Sequence, residues 1–164
     1  MRKPWTLVLI YSLSIYGALP FARDWQRYFR QQFGSNLSYL INFSILTVGL
    51  VPLIWLGRRL TLLRLAAFIG LVLLSFAAAM QLGLPEERIH LVQYGILGYL
   101  CASAASTTFK GAAGFALVIF LGLGIGLGDE LIQGLLPSRV FDWWDVSYNL
   151  GGICVGLLIF QIVK

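Results

Sequence analysis

The amino-acid sequence predicts an all-α membrane bundle: one polytopic domain of about six transmembrane helices with both termini cytoplasmic. Three observations carry that expectation. Hydrophobic residues make up 59% of the 164 residues and charged residues only 12%, against roughly 25% charged in a soluble domain. Mean hydropathy is +0.82. The apolar residues also gather into six runs, at 5–21, 37–56, 60–82, 89–105, 111–128 and 146–163. Each is close to the roughly 20 residues that cross a hydrocarbon core as a helix. Segments of alternating polarity, which would mark a transmembrane barrel, are missing from the sequence.

Taken in order, the first run follows Met1-Arg2-Lys3 and imitates a secretory signal; it is expected to be retained as a span. Residues 26–35, with Arg27, Tyr28, Phe29, Arg30 and Phe33, read as a short interfacial helix before the second span. The second and third runs complete a motif-free region, 1–82. The fourth run is the least apolar and, with the first, the shortest, so it is the weakest span. The fifth carries Gly122, Gly124, Gly126 and Gly128, two overlapping GxxxG pairs, and the sixth adds Gly152 and Gly156. Small residues at this spacing let helix backbones approach closely in lipid, so close packing of the fifth and sixth spans is expected. A nucleotide-binding loop is a poor match, because no strand precedes the glycines and no Lys-Ser/Thr follows them. Cys101 and Cys154 lie within apolar runs and read as small packing residues without metal spacing.

Charge orients the bundle. With six spans and a cytoplasmic N-terminus, Arg2, Lys3, Arg58, Arg59, Arg64, Lys110 and Lys164 fall inside, and Arg23, Arg27, Arg30, Arg88 and Arg139 fall outside. The seven-to-five bias agrees with the positive-inside rule. All seven acidic residues (Asp24, Glu86, Glu87, Asp129, Glu130, Asp142, Asp145) and the single histidine, His90, fall outside. The net charge of +5 sits at helix ends, where it anchors the chain, so nucleic acid is not an expected partner.

The outer polar residues come in three pieces. In the first, His90, Gln93, Tyr94 and Leu97 share a helix face. In the second, Glu130 and Gln133 share a face at the end of the fifth span, beside Asp129. The third runs from Pro137, Ser138 and Arg139 through Asp142, Trp143, Trp144 and Asp145 to Asn149 and Gly152. Asp142 or Asp145 is placed to start the last helix. Trp143 and Trp144 suit an aromatic belt, and Asp24 reads as a solvated charge. Glu130 and Gln133 continue an apolar span without a break and Asn149 sits inside one; ionisable and amide groups at such depth are costly unless partnered, and are site candidates for that reason. Arg139 could hold a phosphate or carboxylate with its planar fork, or serve as a partner of Glu130. His90 and Glu130 are the candidate acid/base pair; Arg139, Gln133, Asp142, Asp145, Asn149 and Tyr94 are candidate ligand-binding groups. No cofactor is predicted. A carboxylate–histidine cluster could take a divalent cation, but the spacing lacks a dense ligand motif such as HExxH. Ser138 has no triad around it.

In that order the three pieces resemble the VanZ-like family of small bacterial membrane proteins. The family's acidic place, histidine, tyrosine and Leu-Gly pair are matched by Glu86, His90, Tyr94, Leu97 and Gly98. Its Glu-x-x-Gln is matched by Glu130 and Gln133, and its Pro-x-Arg turn by Pro137 and Arg139. Its last motif is matched by Asp142, Asp145, Asn149, Gly152 and Gly156. One place departs: the family's basic residue after the first acid is Glu87 here, with Arg88 one residue later. The resemblance covers roughly residues 83–163. It implies a multi-pass protein of the bacterial cytoplasmic membrane with a polar site on the extracytoplasmic face, in the setting of the cell envelope. The family takes its name from a protein linked to glycopeptide resistance, which implies no reaction for this chain.

Two functions compete on this reading. In the first, the site binds, and could act on, an amphiphile: an envelope lipid, a lipid-linked precursor or a lipoglycopeptide. In the second, the chain is an accessory subunit of a larger membrane complex, and the polar cluster fixes the fold of the last three spans. Expected partners are therefore membrane lipids, and other membrane proteins or further copies of the chain. A transporter is disfavoured, because no acid lies on the cytoplasmic side and no charged path crosses the bilayer.

Overall fold

The computed structural model of the chain describes residues 3–85, 87–137 and 139–164. Glu86 and Ser138, both singled out above, lie outside the described residues, as does Arg2. The described residues are helical throughout their regular structure: α1 (Lys3–Phe33), α2 (Asn36–Leu50), α3 (Pro52–Leu56), α4 (Leu62–Met80), α5 (Glu87–Ala105), α6 (Ala112–Leu135) and α7 (Trp143–Val163). Helices α2 and α3 meet at Val51, whose N–H still donates to the Thr47 carbonyl at 2.8 Å, and together they form one stretch, Asn36–Leu56. That stretch, α1, α4, α6 and α7 are each long and apolar enough to cross a membrane. Helix α5 matches α4 in length at 19 residues, but Glu87, Arg88, His90 and Gln93 lower its apolar character.

The first helix corrects one expectation. Residues 26–33 are not a separate interfacial helix; they continue α1, which runs 31 residues, about 46 Å at 1.5 Å per residue. Nothing between Phe21 and Phe33 breaks a helix. The end comes at Gly34, whose φ of +51° is a left-handed conformation that glycine adopts freely, with its N–H on the Arg30 carbonyl at 2.9 Å. Two other starts are set by side chains. Thr61 caps α4 by accepting the Arg64 N–H at 3.4 Å. Asp142 caps α7 by accepting the Trp144 N–H at 2.8 Å, which leaves Asp145 in the first turn.

Helix α5 lies at the centre. It packs most extensively against α7, then against α6 and α1, around a core that includes Tyr94, Leu97, Cys101, Val118 and Ile153. Ile15 of α1 closes one side. The α5–α7 pair is parallel, since Leu91 meets Gly152 while Tyr99 meets Phe160. Its register depends on glycines at 95, 98, 152 and 156. A Cβ on Gly152 would lie 2.5 Å from the Leu91 carbonyl oxygen and 2.9 Å from the Gly95 nitrogen. A Cβ on Gly156 would meet the Gly95 carbonyl, and one on Gly98 the Ile153 backbone.

The glycine expectation is therefore met in part and corrected in part. Gly122 and Gly126 do face α7, against Ile153 and Asn149. Gly152 and Gly156 instead face α5, Gly128 faces the Tyr16 hydroxyl of α1, and a Cβ on Gly124 would point into open space. Spacing identifies a face where backbones can approach; it does not say which helix approaches. Cys101 is buried as expected, whereas Cys154 is exposed on the outside of α7.

Gly152→Ala forces the α5 backbone away and is expected to destabilise the bundle by about 1–3 kcal/mol. Gly124→Ala meets open space and should stay within about 0.5 kcal/mol of wild type. Unfolding of both variants in one detergent, followed by circular dichroism, checks the pair.

Candidate functional site

Because α6 runs antiparallel to α5 and α7, the start of α5, the end of α6 and the start of α7 meet at one end of the bundle. Helix α6 does not stop where its apolar run stops. It continues without a break through Asp129, Glu130 and Gln133 to Leu135. The three polar residues are 1%, 0% and 1% exposed, and Asn149 of α7 is 1% exposed.

Gln133 organises the cluster. Its Nε2 donates to Asp129 Oδ1 at 3.1 Å and to Glu130 Oε1 at 2.7 Å. Its Oε1 accepts from Arg139 Nη2. One amide thus stands between a guanidinium and two carboxylates, with its dipole aligned to both. Asp129 Oδ2 accepts from the Tyr94 hydroxyl at 2.8 Å, and Glu130 Oε2 accepts from the Asp142 N–H at 3.2 Å. The last bond ties the cap of α7 to the end of α6.

His90 forms the other half. Its Nδ1 is 3.0 Å from Asn149 Oδ1, and its Nε2 is 3.9 Å from Asp145 Oδ2. Asn149 Nδ2 donates in turn to the Gly126 carbonyl at 3.4 Å. The His90 and Asp145 side chains are 14% and 18% exposed, so they form the mouth above the fully buried groups. A ring nitrogen of His90 and one carboxylate oxygen each from Asp129 and Glu130 lie within 4.8 Å of one another.

Every described residue named as a site candidate from the sequence is drawn into this end of the bundle. The geometry refines several roles. Arg139 reaches the carboxylates through Gln133, not by a direct hydrogen bond to Glu130. Asp142 serves as the α7 cap and stays exposed. Gln93 contributes a backbone carbonyl to Tyr11 of α1, at 3.1 Å. Arg88 turns away from the cluster and binds α2, donating to Asn42 Oδ1 at 2.6 Å and to the Leu82 carbonyl at 3.1 Å. Asp24 pairs with Arg27 at 3.7 Å on an exposed face, where such pairs contribute little.

One participant was not picked out individually. Asp129 bonds both Tyr94 and Gln133, although its neighbour Glu130 is the residue that stands out in the sequence. The signal was the spacing: 129 and 133 are four apart, as much one face of α6 as 130 and 133.

Compared with protein-family models, curated proteins and solved structures, the chain matches none.

Tyr94→Phe leaves a buried carboxylate oxygen without its donor, which should cost about 1–3 kcal/mol. In a double-mutant cycle with Asp129→Asn, read by thermal unfolding in detergent, the two changes are expected to couple by about 0.5–3 kcal/mol. Strict additivity would show that the bond does not form.

Proposed function

We propose that the chain is a VanZ-like protein of the bacterial cytoplasmic membrane that binds the head group of an amphiphilic envelope molecule at the α5–α7 end. That molecule would be a lipid, a lipid-linked precursor or a lipoglycopeptide. In this reading the six spans (α1, the α2–α3 stretch, α4, α5, α6 and α7) all cross the bilayer, both termini are cytoplasmic and the site opens outward. The resemblance of residues 83–163 and the one-sided placement of the acids support it.

The observation that carries the reading is a polar mouth and an apolar crevice borne by the same two helices, α5 and α7. His90 and Asp145 form the mouth. The crevice, about 390 Å³, is lined by Leu91, Gly95 and Tyr99 of α5, Val155 of α7, and Phe68 and Val72 of α4, and by none of the residues of the polar cluster. A molecule with a charged head and an apolar chain needs both surfaces. Arg139 supplies the cationic end. Among the described residues its hydrogen bond is to Gln133, so most of its five N–H donors remain for a phosphate or carboxylate. Asp145 and Asn149 orient the head group, and His90 with Glu130 forms the acid/base pair for any reaction there. Trp143 and Trp144, each 69% exposed, suit an aromatic belt at head-group level.

A second reading has its own observation. The α2–α3 stretch buries none of its residues, leaving Tyr39, Phe43 and Ile54 more than 70% exposed. A face of this kind suits the helices of a partner subunit as well as lipid.

Native mass spectrometry after gentle extraction separates the two. The first reading expects the chain, alone or as a small homo-oligomer, to carry a lipid adduct that Arg139→Ala and Glu130→Gln lose. Adducts unchanged in both folded variants would sink it, and stoichiometric release with other membrane polypeptides would favour the second. The topology has its own check: reporters fused to the two ends should both respond as cytoplasmic, and opposite responses would remove the six-span arrangement.

A further inference from the structure

Asp129 and Glu130 are consecutive carboxylates with 1% and 0% exposure. Four hydrogen bonds reach them, from the Tyr94 hydroxyl, twice from the Gln133 amide and from the Asp142 N–H. All of these donors are neutral. Among the described residues no lysine or arginine nitrogen bonds to either carboxylate, and Arg139 contacts the oxygen of Gln133 instead. Neutral donors orient a carboxylate without cancelling its charge, and two buried negative charges side by side need a cation or a proton between them. The hydrogen bonds also leave capacity for one. Each carboxylate oxygen here accepts a single bond and keeps a second lone pair.

The imidazole beside them has a determined tautomer. Asn149 Nδ2 faces the Gly126 carbonyl, which can only accept. The opposite amide orientation would set two oxygens against each other. Asn149 Oδ1 therefore faces His90 Nδ1, 3.0 Å away, and Nδ1 must carry the hydrogen. In the uncharged ring that leaves a lone pair on Nε2, on the side of Asp145. A histidine whose other ring nitrogen donates to a fixed oxygen is the arrangement that orients metal-binding imidazoles, and ligating carboxylates are hydrogen-bonded in the same way.

We propose that His90, Asp129 and Glu130 form a binding site for one divalent cation, with Asp145 at its mouth and Tyr94, Gln133 and Asn149 as its orienting shell. One imidazole and two carboxylates suit Zn²⁺ or Mn²⁺ better than Mg²⁺, which favours all-oxygen surroundings rich in water. Bonds of roughly 2.0–2.2 Å place ligand atoms roughly 3–4.5 Å apart around such an ion. A ring nitrogen of His90 and the two carboxylate oxygens lie within 4.8 Å of one another, so the site requires Nε2 to be turned toward the carboxylates and the three groups to close in on the ion. Three protein ligands leave open positions for water or a head group. The cation's role rests on the head-group reading above: it would offer a phosphate or carboxylate head a second positive contact besides Arg139. Its binding does not depend on that reading.

The test uses the full chain in lipid-free detergent, stripped with EDTA and titrated separately with Zn²⁺, Mn²⁺ and Mg²⁺ by calorimetry. The expected result is one Zn²⁺ or Mn²⁺ per chain, with Mg²⁺ weaker. His90→Ala and Glu130→Gln should each weaken binding at least tenfold, and Asn149→Leu by roughly 10–100-fold. Asp24→Asn, on the exposed face of α1, should bind as wild type. Pulsed electron paramagnetic resonance of bound Mn²⁺ should show coupling to an imidazole nitrogen, a readout on the wild-type chain that holds even where a variant fails to fold. The proposal is overturned if the folded wild type takes no stoichiometric cation, as it would were the carboxylates occupied by a proton. It is overturned equally by Mn²⁺ without nitrogen coupling, or by unchanged affinity in His90→Ala. Binding of phosphatidylglycerol by the stripped chain keeps the two readings apart. Lipid bound while no cation binds removes the cation alone; a cation bound with no lipid bound, stripped or loaded, removes the head-group reading alone.

Discussion

The close approach of α5 and α7 is the constraint on which the rest depends. Gly95 and Gly98 on one helix and Gly152 and Gly156 on the other bring the two backbones into direct contact. In lipid no hydrophobic force drives apolar helices together, so packing of this kind has to supply the association. The same contact sets register. With Leu91 against Gly152, His90 one residue earlier faces Asn149, three residues before Gly152, and Asp145 one turn further back. A larger residue in the seam would move the imidazole away from its oxygen partner, so the site is a product of the packing.

Helix α6 is then held by polar bonds as much as by apolar contact. Gly122 and Gly126 let it lie against Ile153 and Asn149. At its end the Asp142 N–H bonds Glu130 Oε2, and Tyr94 of α5 bonds Asp129. Each bond joins two helices. Groups this deeply buried would be costly alone, and in a low-dielectric interior they strengthen one another when satisfied. The two competing functions share this network, because a cluster that fixes the fold of α5–α7 also holds its side chains in one geometry.

Much of this was legible in the sequence, for a physical reason. Apolar runs of near-bilayer length appear whatever their neighbours, so five long apolar helices and the weaker character of α5 could be read directly. Polar residues in such runs are rare enough that Glu130, Gln133, Asn149 and His90 identified themselves. Pairwise geometry was less legible. Glycine spacing did not reveal that Gly152 and Gly156 serve α5, since that depends on the rotation of α7 between two neighbours. Nor could composition show that α1 continues to Phe33, because the arginines and aromatic rings of residues 26–33 suit a continued helix and a separate one equally. Asp129 was overshadowed by Glu130 because adjacent helical residues point about 100° apart, and only the position of Tyr94 shows that both directions are occupied.

The depth of the site bears on what it can contact. The middle of α6 lies near Leu123 and Gly124, and Glu130 is about 10 Å further along its axis. Half of a hydrocarbon core is about 15 Å. In the proposed six-span arrangement, with α6 centred in the bilayer, Glu130 lies just beneath the head-group layer with His90 and Asp145 beside it, too shallow for the midplane site of a transporter. In the same arrangement the cytoplasmic loops and ends carry basic residues and no acid to continue a charged path. Under the proposed reading, a membrane-inserted amphiphile would present its charge at this level, and the crevice, lined from Leu91 to Tyr99 on α5 and from Val155 to Val163 on α7, would lie along its apolar chain.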